Sequence, residues 1–187
     1  MRLKNNKVII VCDGSQIYGF GHIKRSKSLE VTLKKNGFIT NLIILSELKD
    51  ENFINVFEDF VPSSIFFDVP YDIEELIYFS SKKKCLSIAL DYFGNGIPDI
   101  NIVIYPHKKV RAKLANYFGV KYIIIRPDIL KYKLQPFTKV IKKILIIIGG
   151  SDINYDGYKA AKLLSDQNFE IQLVAGPFVD YPIKKDI

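Results

Sequence analysis

The chain has 187 residues, of which 48% are hydrophobic and 13% aromatic, and this composition excludes an intrinsically disordered protein. It is long enough for one domain with a sizeable core, or for one domain and part of a second. The formal net charge of +7 comes almost entirely from scattered lysines, so we discount nucleic acid as a partner and expect a basic surface that attracts an anionic substrate.

Short apolar runs alternate with amphipathic stretches as far as Ile125, which predicts a doubly wound α/β domain with a parallel sheet. The runs are nearly continuous Ile, Val, Leu or Phe, as in strands that are buried on both faces. The predicted strands are Lys7–Asp13, Phe38–Leu45, Ser64–Asp68, Leu86–Asp91, Asn101–Tyr105 and Lys121–Ile125. The predicted helices are Ile23–Asn36, Glu51–Phe60, Ile73–Lys83 and Val110–Phe118, and Gly37 and Gly119 end the first and the last of them.

Arg126-Pro127 ends this first domain, which we place at residues 1–127. Residues 128–142 contain Pro136 and no clear period, and are predicted to be a linker. A strand over Lys143–Gly149, a helix over Tyr155–Gln167 and a strand over Phe169–Ala175 predict that residues 143–187 begin a second α/β domain. About 45 residues bury too little surface to be stable alone, so this part is expected to pack on the first domain or on another chain, or to belong to a longer protein.

The most informative stretch is Gly19-Phe20-Gly21-His22-Ile23-Lys24-Arg25, between the first predicted strand and the first predicted helix. Ligands of open α/β sheets bind at the carboxyl ends of the strands, and the N-terminus of a helix suits a phosphate or a carboxylate. The stretch is not a dinucleotide fingerprint, because Lys24 stands where the third glycine is needed, and no P-loop motif occurs. His22 is a candidate general base; the alternative is a tight connection with a surface histidine.

The segment Asp13–Ser26 resembles the N-terminal signature of the UDP-2,4-diacetamido-2,4,6-trideoxy-β-L-altropyranose hydrolases of pseudaminic acid biosynthesis. Three later strings resemble motifs of the same family in the same order. Leu90–Gly94 resembles an Asp-x-Tyr-Gly strand end, Tyr122–Asp128 a Tyr-x-x-Leu-Arg-x-Glu segment, and Ile148–Asn154 a Gly-Gly-Ser/Thr-Asp loop. Spore coat polysaccharide biosynthesis proteins are related to this family, and all of them resemble the glycosyltransferase-B superfamily. The resemblance therefore implies a Rossmann-like N-terminal domain of that superfamily and the first β-α-β unit of its C-terminal, nucleotide-sugar-binding domain.

The resemblance implies that a UDP-sugar is hydrolysed to UDP and free sugar, without a metal or other cofactor. The Ser- and Glu-containing C-terminal motif of the family has no counterpart here, which leaves a fragment of a longer enzyme, a second chain that completes the site, or a decayed remnant. A glycosyltransferase of the same fold and a non-catalytic subunit are the alternative functions. No signal peptide is visible and no apolar run approaches the ~18 residues of a membrane span, so we expect a cytoplasmic protein.

Three residues are predicted to lie close to the reacting atoms. His22 is the predicted base that takes a proton from water, with a hydrogen bond to the substrate as its alternative role. Asp91 ends the fourth predicted strand, where it orients His22, binds a sugar hydroxyl or amide, or serves only as a turn acid. Tyr92 packs on the sugar or fills the core.

The remaining predicted contacts lie in or beside two glycine loops, the first around Gly19 and Gly21 and the second around Gly149 and Gly150. Arg25 donates to a phosphate or forms a surface ion pair, and Asp13 holds the first loop through bonds to the backbone. Asp152 contacts the nucleotide sugar or caps the helix that follows it. The predicted substrate-binding residues are Asp13, Ser15, Gly19, Phe20, Gly21, Arg25, Tyr92, Gly149, Gly150, Ser151 and Asp152. His107 is expected to be a solvated loop residue, and Cys12 and Cys85 buried apolar ones.

Overall fold

The computed structural model describes residues 5–15, 17–48, 53–104, 116–133, 136 and 140–181. The chain divides into two compact units. The first comprises Met1–Gly14 and His22–Lys131, and the second comprises Ser15–Gly21 and Tyr132–Ile187. The turn that carries the first glycine motif therefore belongs to the second unit, although it lies within the first in sequence.

The first unit is built on one sheet of six parallel strands with helices, as the apolar runs predict. The strands are β1 (Lys7–Cys12), β2 (Ile39–Ile44), β3 (Ser64–Asp68), β4 (Leu86–Leu90), β5 (Ile100–Val103) and β6 (Tyr117–Phe118). The helices are α1 (Gly21–Lys35), α2 (Phe53–Phe60) and α3 (Glu74–Lys82). The strand order is β2-β1-β3-β4-β5-β6, and every neighbouring pair is parallel.

Both faces of this sheet are covered by apolar side chains. Ile9 and Val11 of β1 belong to one core cluster, which includes Phe53 and Phe57 of α2. Val8 and Ile10 of the same strand belong to a second cluster, against which Leu29 and Leu33 of α1 pack. Successive residues of a strand point to opposite faces, so a strand with cover on both sides has no polar alternation, and this explains the continuous runs in the sequence. Cys12 and Cys85 are buried, as predicted.

Two predictions at the end of the sheet are wrong. Tyr117 and Phe118, the last residues of the predicted helix Val110–Phe118, form β6 instead, while residues 105–115 lie outside the described part of the chain. The predicted strand Lys121–Ile125 is absent, since a 3₁₀ turn occupies Val120–Tyr122. Gly119 has a φ of 108°, which glycine adopts without steric strain, and it turns the chain out of β6. The apolar run that follows packs a single side chain, Ile124, against the core.

The order of the strands reverses beside β1. From β1 the chain passes to β2 on one side and then returns to β3 on the other side. Such a switch point leaves a crevice at the carboxyl ends of the two central strands, and this is where ligands of open α/β sheets bind. Cys12 pairs with Asp68 in the register of β1 and β3, so these two strand ends are level.

The second unit contains one β-α-β unit, as predicted. β7 (Lys143–Ile147) and β8 (Glu170–Val174) are parallel and are joined by α4 (Asp156–Leu164) and a 3₁₀ turn at Ser165–Gln167. Their pairing begins with Lys143 opposite Glu170, whose side chains form an exposed ion pair. Among the described residues, the helices of both units are too short or too polar to cross a bilayer.

Candidate functional site

Four charged or ionisable side chains meet at the switch point of the first unit, and we call them the switch-point cluster: His22, Arg25, Asp68 and Asp91. His22 and Arg25 lie three residues apart at the start of α1, so they share one face of the helix. Asp68 is the last residue of β3 and Asp91 directly follows β4. The cluster therefore gathers the carboxyl ends of two neighbouring strands around the first turn of one helix.

Asp68 is the centre of this cluster. Its Oδ1 accepts a hydrogen bond from Nδ1 of His22 at 2.7 Å. Arg25 donates to the same carboxylate twice, from Nε to Oδ2 at 2.8 Å and from Nη2 to Oδ1 at 2.5 Å. The hydroxyl of Ser26 lies 3.4 Å from Oδ2. Two parallel bonds from a planar guanidinium fix both the position and the plane of a carboxylate.

Asp68 is completely buried, yet it is ionised at neutral pH. Burial alone raises the pKa of a carboxyl group, because it disfavours the charged form. Here the hydrogen bonds and charges of Arg25, and then those of His22, outweigh burial and lower the pKa of Asp68 below its usual value. An ionised carboxylate only accepts hydrogen bonds, so the proton between His22 and Asp68 belongs to Nδ1 of the imidazole. In the neutral ring, Nε2 is then left with its lone pair.

Asp91 reaches the cluster through Arg25 and not through His22. Its Oδ2 accepts a bond from Nη1 of Arg25 at 3.2 Å, and its Oδ1 accepts the backbone N–H of Ile104 at 2.7 Å. The residue adopts a left-handed backbone conformation with a φ of 50°, which aspartate tolerates better than most residues. Asp91 thus has the predicted role of turn acid and also pairs with Arg25, whereas the predicted contact with His22 is made by Asp68 instead.

Sequence reasoning missed Asp68, although a signal for it exists. Asp68 ends a run of apolar residues, Ser64–Asp68, just as Asp91 follows the run of β4. An acid at the carboxyl end of a buried parallel strand lies at the edge where ligands bind. That rule applied to all strand ends of the first unit selects Asp13, Asp68 and Asp91 together.

A cavity of about 290 Å³ opens beside the imidazole. Its walls include His22 and Asp91 of the switch-point cluster and two aromatic side chains, Tyr71 and Phe93. The side chain of His22 is 25% exposed, so its ring is accessible without being freely solvated. The cavity is therefore large enough for a small polar ligand next to a candidate base.

Of the two roles predicted for Tyr92, filling the core and packing on a sugar, the structure shows mainly the first. It is 5% exposed and belongs to the core cluster on the α2 face of the sheet. Its hydroxyl donates to Asp72 and accepts the backbone N–H of Gly96 at 3.0 Å. Asp72 also accepts the backbone N–H and the side-chain amide of Asn95, each at 3.1 Å. The loops after β3 and β4 are thereby tied to each other, and Tyr92 is also one of the residues that line the cavity.

The hydroxyl of Tyr92 is expected to ionise late in an alkaline titration. Burial, followed by the bond to Asp72, raises the pKa of Tyr92 to about 12. The stabilisation from neutral Tyr92 is therefore present below about pH 10, the ordinary tyrosine pKa, and is lost as the pH rises towards 12. Ultraviolet titration of Tyr92→Phe should show a smaller late step than the native chain. Tyr132→Phe, which removes an exposed ring, should leave that step intact; an unchanged late step in Tyr92→Phe would argue against the bond.

Gly94 is expected to be intolerant of any side chain. A Cβ at this position would overlap the Tyr92 hydroxyl and the Asp72 carboxylate that it bonds. Gly94→Ala should therefore break this bond and lower the free energy of unfolding by about 1–3 kcal/mol, measured by urea denaturation. Gly21→Ala is the matched control, because no heavy atom lies within 4 Å of a Cβ built there. Equal stability of the two variants would show that the two loops are not tied in this way.

Asp13 has a structural role, but its bonds link the end of β1 to the segments after β2 and β3 and do not hold the first glycine loop as the sequence predicts. Its Oδ1 accepts the backbone N–H groups of Gly14 at 2.8 Å and of Ser46 at 3.3 Å. Its Oδ2 accepts the hydroxyl of Tyr71 at 2.6 Å. These hydrogen bonds outweigh partial burial and lower the pKa of Asp13. Asp13 thus joins the end of β1 to the loop that forms one wall of the cavity.

The other predicted residues lie in the second unit, where two glycine turns meet. Gly19 donates its backbone N–H to the carbonyl of Ser15 at 2.7 Å and has a φ of 71°. A Cβ on Gly150 would lie 3.5 Å from the Cα of Gly19, so these two turns are in close contact. The ring of Phe20 packs on that of Phe178, with 4.9 Å between the centroids.

The loop after β7 closes tightly on the loop after β8. A Cβ on Gly176 would overlap the carbonyl oxygens of Gly149 and Gly150, and the backbone N–H of Phe178 donates to the carbonyl of Gly150 at 3.2 Å. Gly149 has a φ of 108°. Only glycine fits such a close approach of two backbones without strain. Ser151 lies beyond this contact and lines a second cavity of about 310 Å³ within the same unit.

Asp152 caps the first turn of α4 through its side chain, although Tyr155 and not Asp152 occupies the N-cap position. Its carboxylate accepts the backbone N–H groups of Asp156 at 2.9 Å and Gly157 at 2.8 Å, the first two residues of α4. It also accepts the hydroxyl of Tyr181 at 2.7 Å, and these bonds outweigh desolvation and lower the pKa of Asp152. Burial and the same bond raise the pKa of Tyr181 to about 12. Because its oxygens accept these bonds, Asp152 holds the loop that places Ser151 beside the cavity.

The fold defines an α/β protein with a six-stranded parallel sheet and a polar cluster at its switch point. An uncharacterized protein of Methanocaldococcus jannaschii is 28% identical to this chain over 215 aligned positions. The match covers 94% of the chain and 43% of the archaeal protein, so the chain spans less than half the length of that relative. No protein-family model matches the chain, and no solved structure matches it significantly. Among the described residues, no group of three or more His, Cys, Asp or Glu side chains is arranged to hold a metal ion.

Proposed function

We propose that this chain is the N-terminal part of a UDP-sugar hydrolase of the glycosyltransferase-B superfamily that acts on a diacetamido-trideoxy sugar, with His22 as the general base. One observation carries the proposal: an accessible imidazole at the switch point donates through Nδ1 to the buried Asp68 at 2.7 Å. A surface histidine without a functional role needs no hydrogen bond to a buried carboxylate, whereas a general base must be held in one tautomer and one orientation.

In the proposed reaction, water attacks the anomeric carbon of the bound sugar. Nε2 of His22 takes a proton from that water as the new carbon–oxygen bond forms. The bond between the anomeric carbon and the phosphate oxygen breaks, and UDP leaves with the electron pair. The imidazolium that results is stabilised by the ionised carboxylate of Asp68, which keeps its own charge throughout.

The nucleotide is proposed to bind at the glycine turns of the second unit. Gly149 and Gly150 follow a parallel strand, where glycine lets a ligand approach the backbone closely, while the first N–H groups of α4 are already bonded to Asp152. Ser151 supplies a hydroxyl next to these turns. One β-α-β unit offers few further contacts, so we propose that additional polypeptide, from the same longer protein or from a second chain, increases the affinity for the nucleotide without being needed for turnover.

Product analysis tests this proposal. The chain is incubated with the UDP-linked diacetamido-trideoxy sugar, UDP is quantified by chromatography and the sugar is followed by NMR. Free reducing sugar formed in equal amount to UDP supports a hydrolase. Sugar found only on an added polysaccharide or lipid acceptor would instead support a glycosyltransferase. UDP binding without turnover, measured by calorimetry, would support a non-catalytic subunit.

A further inference from the structure

We infer that Arg25 is a positioning residue that fixes Asp68 and, through it, the imidazole of His22, and that Arg25 is not a phosphate ligand. The expected effect on catalysis rests on the proposed function, whereas the orientation of Asp68 and His22 by Arg25 does not. Arg25 lies one turn after His22 on α1 and cross-links the carboxyl ends of β3 and β4 through Asp68 and Asp91.

All three nitrogens of the Arg25 guanidinium are already engaged with carboxylates. Nε and Nη2 donate to Asp68, and Nη1 donates to Asp91. The side chain is 21% exposed, so little of it faces solvent. A phosphate that approached Arg25 would meet two carboxylate charges around one guanidinium charge, and like charges at such distances repel. The diphosphate of a nucleotide sugar is therefore held elsewhere.

The same contacts explain how Arg25 acts on His22. A carboxylate can rotate, and only one of its rotations points the lone pair of Oδ1 at Nδ1 of the imidazole. The two parallel bonds from Arg25 fix that rotation, and the bond to Asp91 fixes the guanidinium in turn. A lysine ammonium is a single point of charge without a planar fork, so Arg25→Lys keeps the charge and removes the orientation.

The tautomer of His22 is the direct test. The chain has only two histidines, so long-range ¹H–¹⁵N spectra resolve both, and His107 serves as the internal control. Spectra are recorded at about pH 9, well above the ordinary histidine pKa. We expect native His22 to show the Nδ1–H tautomer and Arg25→Lys to show a mixture of tautomers, with His107 unchanged. Asp91→Asn, which loosens the guanidinium but spares Asp68, should give a smaller change. If neither variant alters the His22 spectrum, the inference is wrong.

Kinetics and nucleotide binding separate positioning from phosphate binding. For Arg25→Lys we expect kcat to fall about 10²-fold, as small misplacements of a catalytic group do, while KM and the Kd for UDP stay within twofold of native values. A weaker UDP affinity in this variant would overturn the inference. Failure of the proposed function is distinguishable, because a chain without hydrolase activity would still show the tautomer change. An unfolded Arg25→Lys, recognised by its amide spectrum, leaves Asp91→Asn to decide.

Discussion

Replacing His22 with glutamine should lower kcat for UDP-sugar hydrolysis by about 10²–10⁴-fold, the usual contribution of a general base. Glutamine retains an N–H that can donate to Asp68 but has no group that accepts a proton near neutral pH. The substitution therefore removes the base and leaves the buried carboxylate with a partner. Initial rates of UDP release measure the effect, and circular dichroism with urea denaturation checks that the fold is unchanged.

The matched control is Lys24→Ala, which changes an exposed residue between His22 and Arg25 on the same helix. We expect its kcat to remain close to that of the native chain. A fully active His22→Gln would exclude His22 as the base, and water would then have to be activated by another group beside the cavity. Restored activity at high pH in His22→Gln would support His22 as the base, since hydroxide then replaces the missing group.

Replacing Asp68 with alanine should be the most destabilising single substitution in the switch-point cluster. It removes the partner of two Arg25 nitrogens and of His22, and it leaves a largely buried guanidinium charge that only Asp91 compensates. Breaking a buried ion pair in this way costs about 3–5 kcal/mol. Urea denaturation of native and variant chains measures the loss as a lower midpoint at unchanged slope.

Asp128→Ala provides the comparison for Asp68→Ala. Asp128 forms an ion pair with Arg126 at 3.4 Å, but both side chains are more than half exposed. Exposed pairs contribute about 0–1 kcal/mol, so this variant should unfold almost as the native chain does. Similar losses in both variants would mean that Asp68 is not the buried centre of a charged cluster.

The contribution of Asp68 should also depend on pH in a defined direction. Its pKa is lower in the folded chain than in the unfolded chain, because Arg25 and His22 outweigh burial. The stabilisation is therefore fully present above the ordinary aspartate pKa of about 3.9 and is lost as the pH falls through the lower, folded value. The stability difference between the native chain and Asp68→Asn should shrink over this acidic range. A constant difference down to the acid transition would contradict the lowered pKa.

The fold of the first unit could be predicted because its signal is local. A strand that is buried on both faces must be apolar at every position, and a helix that covers such a sheet must repeat its apolar residues with the helical period. Ser64–Asp68 was therefore predicted to the residue. The signal fails at β6, a two-residue strand with exposed side chains. These two residues form a strand because they pair with Ile102 and Val103, and their own composition does not indicate one.

The alternation of strands and helices and the position of His22 at the first turn of α1 can be predicted from the sequence alone, because both follow from the pattern of neighbouring residues. Which acid holds the imidazole depends on contacts between segments that are far apart in the chain. Asp68 lies 46 residues from His22, and Asp91 is another acid at a strand end with the same local pattern. The choice between them depends on the strand order, which places β3 directly beside β1 and β4 one strand further away. Strand order arises from contacts between distant segments, so the sequence around each acid carries no record of it.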